Sequence, residues 1–471
     1  MKIKEIIDLI NNDIKSRNNL LNLEINTKNI TTNIEGTNNS DIVFYKVQNN
    51  PKSIEVFLER LKKANAGLVI LNSGTEASIK NDNCLFIDGD NFFKLQKVLL
   101  DKLFLNKRKL KIIGVTGTNG KTTTVNLAMQ ISTLLGHPAI SVGTIGIQDS
   151  NGELEGDLNS TTPSYVELRK IIWKYQDKYQ ACFVEVSSHG LDQNRLFDIS
   201  LDGAIWTSFS QDHLDYHKTM DEYFEAKMLI EKKYLNQPHQ LIVPFNEKEL
   251  YEKILGKNPN ARVKKAKTLS DLKVTKLPLF YHSIYNQSNV ECALQINADL
   301  WGEEKVYQFD LNKIKTPSGR FSVIELKNNS MAIIDYAHTP DALINIGEAI
   351  KNAFPSHSRT VVFGCGGNRD KTKRPLMAKA VEQFANKIII TSDNPRDEAP
   401  EDIIIDILNG LTNSYEAVVD RKKAILYALE SAGKNEVILI AGKGHEEYQE
   451  IKGVKYPFSD FSIVKEFQTQ K

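Results

Sequence analysis

The chain has 471 residues, a quarter of them charged, with 60 Lys+Arg against 59 Asp+Glu and a formal net charge of +1 at pH 7. That balance argues against a function built on a nucleic-acid or membrane surface, and no apolar run approaches the roughly 18 residues that cross a bilayer. The length exceeds one ordinary hydrophobic core and predicts two to four domains.

The N-terminal stretch from Met1 to Ile10 has helical apolar spacing and acidic residues, unlike a signal peptide. A helix is predicted near 4–16, strands at 42–47 and 67–71, and a helix over 90–105, in an Asn- and Lys-rich first domain spanning 1–108. Lys107, Arg108 and Lys109 then read as an exposed linker. Four cysteines (Cys84, Cys182, Cys292, Cys365) lie far apart, without metal or redox spacing, and read as reduced core residues of a cytoplasmic protein.

A second domain, 109–328, opens on an apolar strand (Ile112, Ile113, Val115), a glycine-rich turn, Lys121, and an apolar run of helical period from Val125 to Leu135. Strands are predicted at 139–142, 182–187, 203–208 and 240–244, with helices over 164–178 and 220–235. Such alternation implies a mostly parallel sheet covered by helices. A third domain, 329–471, repeats the pattern: strand 332–335, helix 340–353, strand 359–363, helix 375–385, strand 387–391, helix 401–410 and strand 436–441. It reads as a second α/β sheet, complete enough to fold alone.

Strand, glycine-rich loop and helix in that order build a phosphate cradle, because loop and helix-terminal N–H groups point at the anion. Lys121 would reach the outer phosphates and the Thr122 hydroxyl would ligate Mg²⁺. The strict P-loop pattern wants glycine where Val115 stands, with Gly114 one place early, so a glycine-rich turn with a surface lysine is the bland alternative.

Three polar clusters follow in the same domain. Asn159-Ser160-Thr161-Thr162-Pro163 reads first as a helix cap. In the run from Glu185 to Arg195, a carboxylate closes a buried strand, and a strand carboxylate without a partner favours a metal ligand. Ser187, His189, Gln193 and Arg195 could hold an anion. The run from Ser210 to His217 offers Asp212 and His213, which suit Mg²⁺ only as one or two ligands beside phosphate oxygens. A Ser-His-Asp hydrolase can be drawn from these letters, but no G-x-S-x-G elbow is present. Lys227, taken alone, is a solvated helix lysine.

In the third domain, Gly364 to Asp370 is a glycine-rich turn. Asp393-Asn394-Pro395-Arg396 and the run from Ala441 to Glu446 both follow strands and can converge at one sheet edge. Arginine for a carboxylate, with Asp393 and Glu446 for an ammonium, suits a zwitterionic amino acid.

Together, Thr116 to Thr123, Glu185 to Leu191, Asp212 to His217, Asp335 to Ala342, Gly364 to Arg374, Asp393 to Arg396 and Ala441 to Glu446 resemble the Mur ligases, in the family's order. The resemblance implies an α/β protein of three domains: an N-terminal one for the UDP end of the substrate, a central P-loop-type parallel-sheet ATPase, and a C-terminal Rossmann-like domain presenting the amino acid. It implies ATP on Gly117, Thr118, Asn119, Gly120, Lys121, Thr122 and Thr123. Mg²⁺ would be held by Thr122 and Glu185, with His213 at a second metal position. Lys227 matches a family lysine carbamylated by CO₂, which overrides its solvated reading. Lys121, Glu185, His213 and Lys227 form the implied catalytic set.

By the same resemblance Ser160, Thr161, Thr162, Ser187, Gln193 and Arg195 contact UDP-N-acetylmuramoyl-L-alanyl-D-glutamate. Arg369, Asp393, Asn394, Pro395, Arg396, Gly442 and Glu446 take the incoming amino acid. Arg396 selects meso-2,6-diaminopimelate over lysine, whose side chain lacks the distal carboxylate. The implied reaction is ATP-dependent amide formation through an acyl phosphate, by a monomer in the cytoplasm with no nucleic-acid or membrane partner. Alternatives are a lysine-adding ligase, a folylpolyglutamate-type ligase, a P-loop switch or kinase without ligation, and an inactive homologue. Asn33-Ile34-Glu35 replace the family's usual Asp-Ser-Arg, Ser160 a frequent asparagine and Gln211 a common arginine, and the segment between Asn246 and Tyr285 looks shortened. The first 108 residues carry almost none of the resemblance, and the uridine contacts stay unassigned.

Overall fold

A computed structural model describes residues 29–81, 83–107, 109–156, 158, 160–271, 279–302, 306, 310–327 and 329–470. The predicted helix near 4–16 and Asn159 lie outside them. The chain divides into two compact units.

The first unit takes the described residues up to Lys111 together with Thr162–Cys182 and Gly190–Ser200. Its four-stranded parallel sheet has the order β1 (Asn29–Thr31), β2 (Asp41–Tyr45), β3 (Leu68–Asn72), β4 (Cys84–Ile87). Helix α1 (Pro51–Lys63) starts where Asn50 accepts a bond from Ser53 N and Pro51 presets the first turn. The apolar face of α1 packs Phe57 against Val43, Val69 and Leu71. Helices α2 (Gly89–Leu103) and α3 (Tyr165–Tyr175) also belong here. Buried Arg169 is paired with Asp101 at 2.6 Å and Asp198 at 2.9 Å.

The second unit holds two sheets. The larger has eight strands in the order β12-β11-β10-β5-β9-β6-β7-β8. These are β5 (Lys111–Thr116), β6 (Ala139–Gly143), β7 (Gly146–Asp149), β8 (Gly152–Glu155), β9 (Ala181–Glu185), β10 (Gly203–Trp206), β11 (Leu241–Val243) and β12 (Val263–Lys265). The pairs β5–β10, β10–β11 and β11–β12 are parallel, while β6–β7–β8 is an antiparallel margin. Helix α4 (Lys121–Leu134) follows β5, and α5 (Met220–Leu229) runs on into a π-helical turn at Ile230–Tyr234. A single helix over 220–235 was expected; the apolar spacing continues through the change of hydrogen bonding, so the pattern does not reveal it.

The smaller sheet has six strands in the order β13-β14-β18-β15-β16-β17. They are β13 (Ser322–Glu325), β14 (Met331–Asp335), β15 (Ser358–Phe363), β16 (Lys387–Ile390), β17 (Glu416–Ala417) and β18 (Glu436–Ala441). Only the edge strand β13 is antiparallel. Its core gathers Ile334, Val362, Ile389, Ile440 and the apolar face of helix α6 (Arg421–Glu430). The loops after β14, β15, β16 and β18 therefore leave one edge together, where doubly wound sheets place ligands. A short hairpin, β19 (Tyr448–Ile451) and β20 (Val454–Pro457), follows β18.

All four cysteines are free and buried. Burial pushes Cys84, Cys182 and Cys365 up to about 12, and Cys292 also well above the ordinary thiol range.

Candidate functional site

The cradle forms where β5 ends. Gly117 has φ +146°, and a Cβ there would collide with Thr207 Oγ1, so the tight approach of the loop to the next strand needs glycine. The loop is pinned from the β10 exit. Thr207 Oγ1 donates to Asn119 O at 2.5 Å, Asn119 N donates to Ser208 Oγ at 3.0 Å, and Ser210 N donates to Thr118 Oγ1 at 3.0 Å.

Two lysine Nζ atoms meet at one loop carbonyl. Lys121 Nζ donates to Gly117 O at 2.8 Å and Thr118 O at 2.9 Å, and Lys227 Nζ donates to Gly117 O at 3.0 Å. Lys227 is 1% exposed, which corrects its solvated reading. Burial and then the Lys121 charge push the Lys227 amine well below the usual lysine range, with Asp212 opposing. Burial also lowers Lys121, against Glu185 and Asp212. Arg320 adds a guanidinium: Nη2 donates to Thr122 Oγ1 at 3.0 Å, its plane lies 4.5 Å over Tyr336, and its buried Nε has no hydrogen-bond partner among the described residues. Sequence reasoning missed Arg320, which sits 198 positions from its partner.

Glu185 ends β9 and is 1% exposed. Its Oε1 accepts from Thr144 N at 2.9 Å and its Oε2 from Thr144 Oγ1 at 3.1 Å. The premise of an unpartnered strand carboxylate therefore fails. Thr144 Oγ1 also lies 3.2 Å from Thr161 Oγ1. Asp212 accepts from His213 N at 2.9 Å and pairs with Lys373 at 3.3 Å. Although burial opposes it, the Lys373 charge with His213 and His338 holds Asp212 well below the carboxylate range. His213 is pushed down to about 3, by burial first and then by His189, Lys121 and Lys227 against Asp212. It is thus a neutral imidazole near pH 7. Ser187 lies just beyond β9, and Ser160 and Thr161 belong to the same unit. In the first unit, Arg195 donates to Thr162 O at 2.5 Å and to Gln193 Oε1 at 2.7 Å.

The smaller sheet reaches the cradle within this unit. Asn119 Nδ2 donates to Asp341 Oδ2 at 3.1 Å and Thr339 Oγ1 at 3.2 Å. Gln211 Nε2 donates to Asp370 Oδ2 at 3.2 Å and Thr372 Oγ1 at 3.0 Å.

At the edge of that sheet the second predicted cluster comes together. Asn394 Nδ2 donates to Glu446 Oε2 at 2.9 Å, and buried Lys443 bridges Asn394 Oδ1 at 3.0 Å and Glu446 Oε2 at 2.8 Å. Burial raises the Glu446 carboxyl against the pull of Lys443. Gly442 has φ +115°, and a Cβ there would meet Asp393 Oδ2 at 2.5 Å. Arg396 Nε donates to Glu450 Oε2 at 3.0 Å and Nη1 to Gly367 O at 2.9 Å. Pro395 O accepts from Glu398 N at 3.0 Å. Arg369 is exposed on the same turn, its Cγ near Gly366, which also faces Arg396 Nη1. Lys443 and Glu450 were not singled out in the sequence.

An anion fits the cradle: Lys121 and Arg320 converge on it, one buried guanidinium nitrogen has no hydrogen-bond partner among the described residues, and the glycine loop leaves no room for a side chain. Thr122 Oγ1 and the Glu185 carboxylate are hard oxygen donors of the kind Mg²⁺ prefers.

Residues 115–333 match the Mur ligase middle domain, and 319–444 match the Mur ligase glutamate ligase domain. The chain is 37% identical over 386 residues to the UDP-N-acetylmuramoyl-L-alanyl-D-glutamate–2,6-diaminopimelate ligase of Aquifex aeolicus, covering 76% of this chain and 77% of that one. It is 32% identical over 489 residues to the enzyme of the same name from Clostridium tetani, covering 99% of each. A solved structure of a ligase of that name is similar with a TM-score of 0.57 and 27% identity, covering 100% of this chain and 99% of the other. Matched in both catalytic domains and along the whole length of a curated relative, the chain belongs to the Mur ligase family.

Proposed function

We propose that the chain joins meso-2,6-diaminopimelate to UDP-N-acetylmuramoyl-L-alanyl-D-glutamate at the expense of ATP, in peptidoglycan precursor synthesis. The names of its relatives support this reading. The observation that carries it is Arg396, paired with Glu450 in the loop whose Asn394 bonds Glu446, at the edge of the smaller sheet. A guanidinium beside carboxylates suits an amino acid that brings both an ammonium and a second carboxylate. In this reading 1–108 binds the UDP end, 109–328 is the ATPase, and 329–471 presents the amino acid.

The cofactors are ATP and Mg²⁺. Bound at the cradle, they supply the phosphoryl group that activates a carboxylate and the charge that neutralises it. Gly117 to Thr123 would hold the phosphates, with the Lys121 ammonium, seated on Gly117 O and Thr118 O, as the cation that would neutralise them. Thr122, Glu185 and the neutral His213 are metal ligands. Lys227, held as a buried neutral amine, would react with CO₂ to give a carbamate and a proton, turning a neutral group into an anionic ligand. An unmodified Lys227 amine in a high-resolution map of the metal-loaded protein would overturn that assignment. Ser160, Thr161, Thr162, Ser187, Gln193 and Arg195 contact the muramoyl-dipeptide. Arg369, Asp393, Asn394, Pro395, Arg396, Gly442 and Glu446 contact diaminopimelate.

The D-glutamyl γ-carboxylate would take the γ-phosphoryl group of ATP with release of ADP, and the neutral diaminopimelate amine would attack the acyl carbon, lose a proton and expel phosphate to leave the amide. Preorganised cations do most of the work. Among the described residues no helix is long and apolar enough to cross a membrane, and we place the protein in the cytoplasm as a monomer without nucleic-acid partners. The test is phosphate release by the purified chain with the UDP-dipeptide and a panel of amines. Turnover should require diaminopimelate; brisk turnover with lysine and none with diaminopimelate would refute the substrate assignment.

A further inference from the structure

Arg396 is held in an unfavourable backbone conformation. Its φ of +52° lies in the left-handed region, which a side chain like arginine's enters at a cost and keeps only when its surroundings enforce it. The enforcing element is the hairpin after β18. Arg396 N donates to Glu450 O at 3.1 Å, and Lys452 N donates to Arg396 O at 2.8 Å. The Glu450 side chain takes the Arg396 Nε–H at 3.0 Å, while Gly367 O takes Nη1 at 2.9 Å. Nη2 has no hydrogen-bond partner among the described residues, so the outer end of the guanidinium is left open. Glu450 also reaches the neighbouring contact residue, since its N donates to Asn394 Oδ1 at 2.9 Å. The rest of the hairpin is mostly exposed, including Val454 and Tyr456 at its far strand. Besides the Lys452 backbone bond, its polar contacts to the loop after β16 run through Glu450, to Asn394 and Arg396, and through Gln449, whose Nε2 donates to Asp393 O at 2.7 Å.

From this we propose that Glu450 is a positioning residue for amino-acid selection: by occupying the Nε side of Arg396 it presents the outer edge to the distal carboxylate of the incoming amino acid. The inference rests on the assignment of Arg396 to diaminopimelate above. A carboxylate at Nε fixes the plane of the fork and keeps the half-buried cation paired when no substrate is present. A guanidinium without that anchor has to be ordered by the substrate itself, and that ordering is lost from affinity.

The experiment uses the full chain as wild type, Glu450→Ala and Glu450→Gln, with saturating ATP and UDP-dipeptide, reading ADP formation against diaminopimelate concentration. Glu450→Ala should raise KM for diaminopimelate about tenfold with kcat within about twofold, since a hydrogen bond to a charged group is removed. Glu450→Gln keeps an oxygen acceptor for Nε–H and should recover part of the KM. The apparent Tm of both variants should stay within about 2 °C of wild type. An unchanged KM would overturn the proposal. So would a lower KM, because Glu450 would then merely compete for Arg396. A joint fall of kcat and Tm would reduce the residue to a scaffold part and equally overturn it. Failure of the wild-type chain to use diaminopimelate at all refutes the substrate assignment instead, and is read in a separate arm.

Discussion

The cradle and the cluster proposed as the amino-acid pocket both lie where strands of largely parallel sheets end, yet they balance charge differently. At the cradle, Lys121 and Lys227 rest on backbone carbonyls, and Arg320 rests on a hydroxyl and an aromatic face. At the pocket, each inner cation already has a carboxylate: Lys443 has Glu446, and Arg396 has Glu450. Carbonyl dipoles stabilise a buried ammonium less than a full counter-charge does. The first region thus leaves Lys121 and Arg320 without a carboxylate bonded to them, ready for a polyanion, with Glu185 and Asp212 close enough to act on the Lys121 charge. The second is an alternating lattice of charges, suited to a ligand that carries both signs.

This contrast makes the cradle the more fragile of the two. Lys121→Ala should lower kcat by at least about 10³-fold in the ADP-release assay, because a preorganised charge at the transferring group is lost. If Lys227 could substitute at the same carbonyl, the loss would be small and the two lysines would be interchangeable. At the pocket, Arg396→Ala should raise KM for diaminopimelate about 10²-fold, while the rate with lysine at high concentration should not fall. An equal loss for both amines would mean that Arg396 shapes the pocket without reading the distal carboxylate.

A smaller effect is expected at Glu247, before helix α7 (Lys248–Lys257). Burial, with Asp341 and Glu249, raises its carboxyl to about 7. Its folded pKa lies above the unfolded value, so the native state keeps the proton longer, and stability is lost as pH rises from the unfolded value through about 7. Glu247→Gln should therefore stabilise the chain at pH 8 by on the order of 2 kcal/mol, with little gain near pH 4.5. A thermal-melt series at the two pH values checks the sign.

Much of the stretch 329–471 was legible because strong local signals agree. Thr339 caps and Pro340 opens a helix over Pro340–Ala353, matching the predicted 340–353, and the apolar run Glu436–Ala441 is a strand as read. Helix α1 was not predicted, because its cap, Asn50, stands in an asparagine-rich stretch where one more asparagine carries no distinguishing signal. Helix α6 and the hairpin were missed too, the hairpin because exposed Val454 and Tyr456 give no buried alternation. The site divides the same way. Lys121, Asp393 and Arg396 sit in compact motifs, each directly after a strand. Arg320, Thr144 and Glu450 act on residues 198, 41 and 54 positions away, and nothing local marks such partners. Lys227 shows the limit most clearly, since its spacing on the helix is ordinary and only the packing makes it a buried amine.

The buried thiols have a practical consequence. With every native cysteine buried and held above its ordinary ionisation range, none presents a thiolate near neutral pH, so maleimide chemistry on the folded protein starts from a silent background. Lys371 has a side chain 65% exposed and sits between Asp370 and Thr372, the two partners of Gln211. A cysteine placed there would be the one reactive handle. A dye on it, at the cost of the Lys371–Glu398 pair at 3.0 Å, would report whether nucleotide or substrate changes the surroundings of the Gln211 contacts.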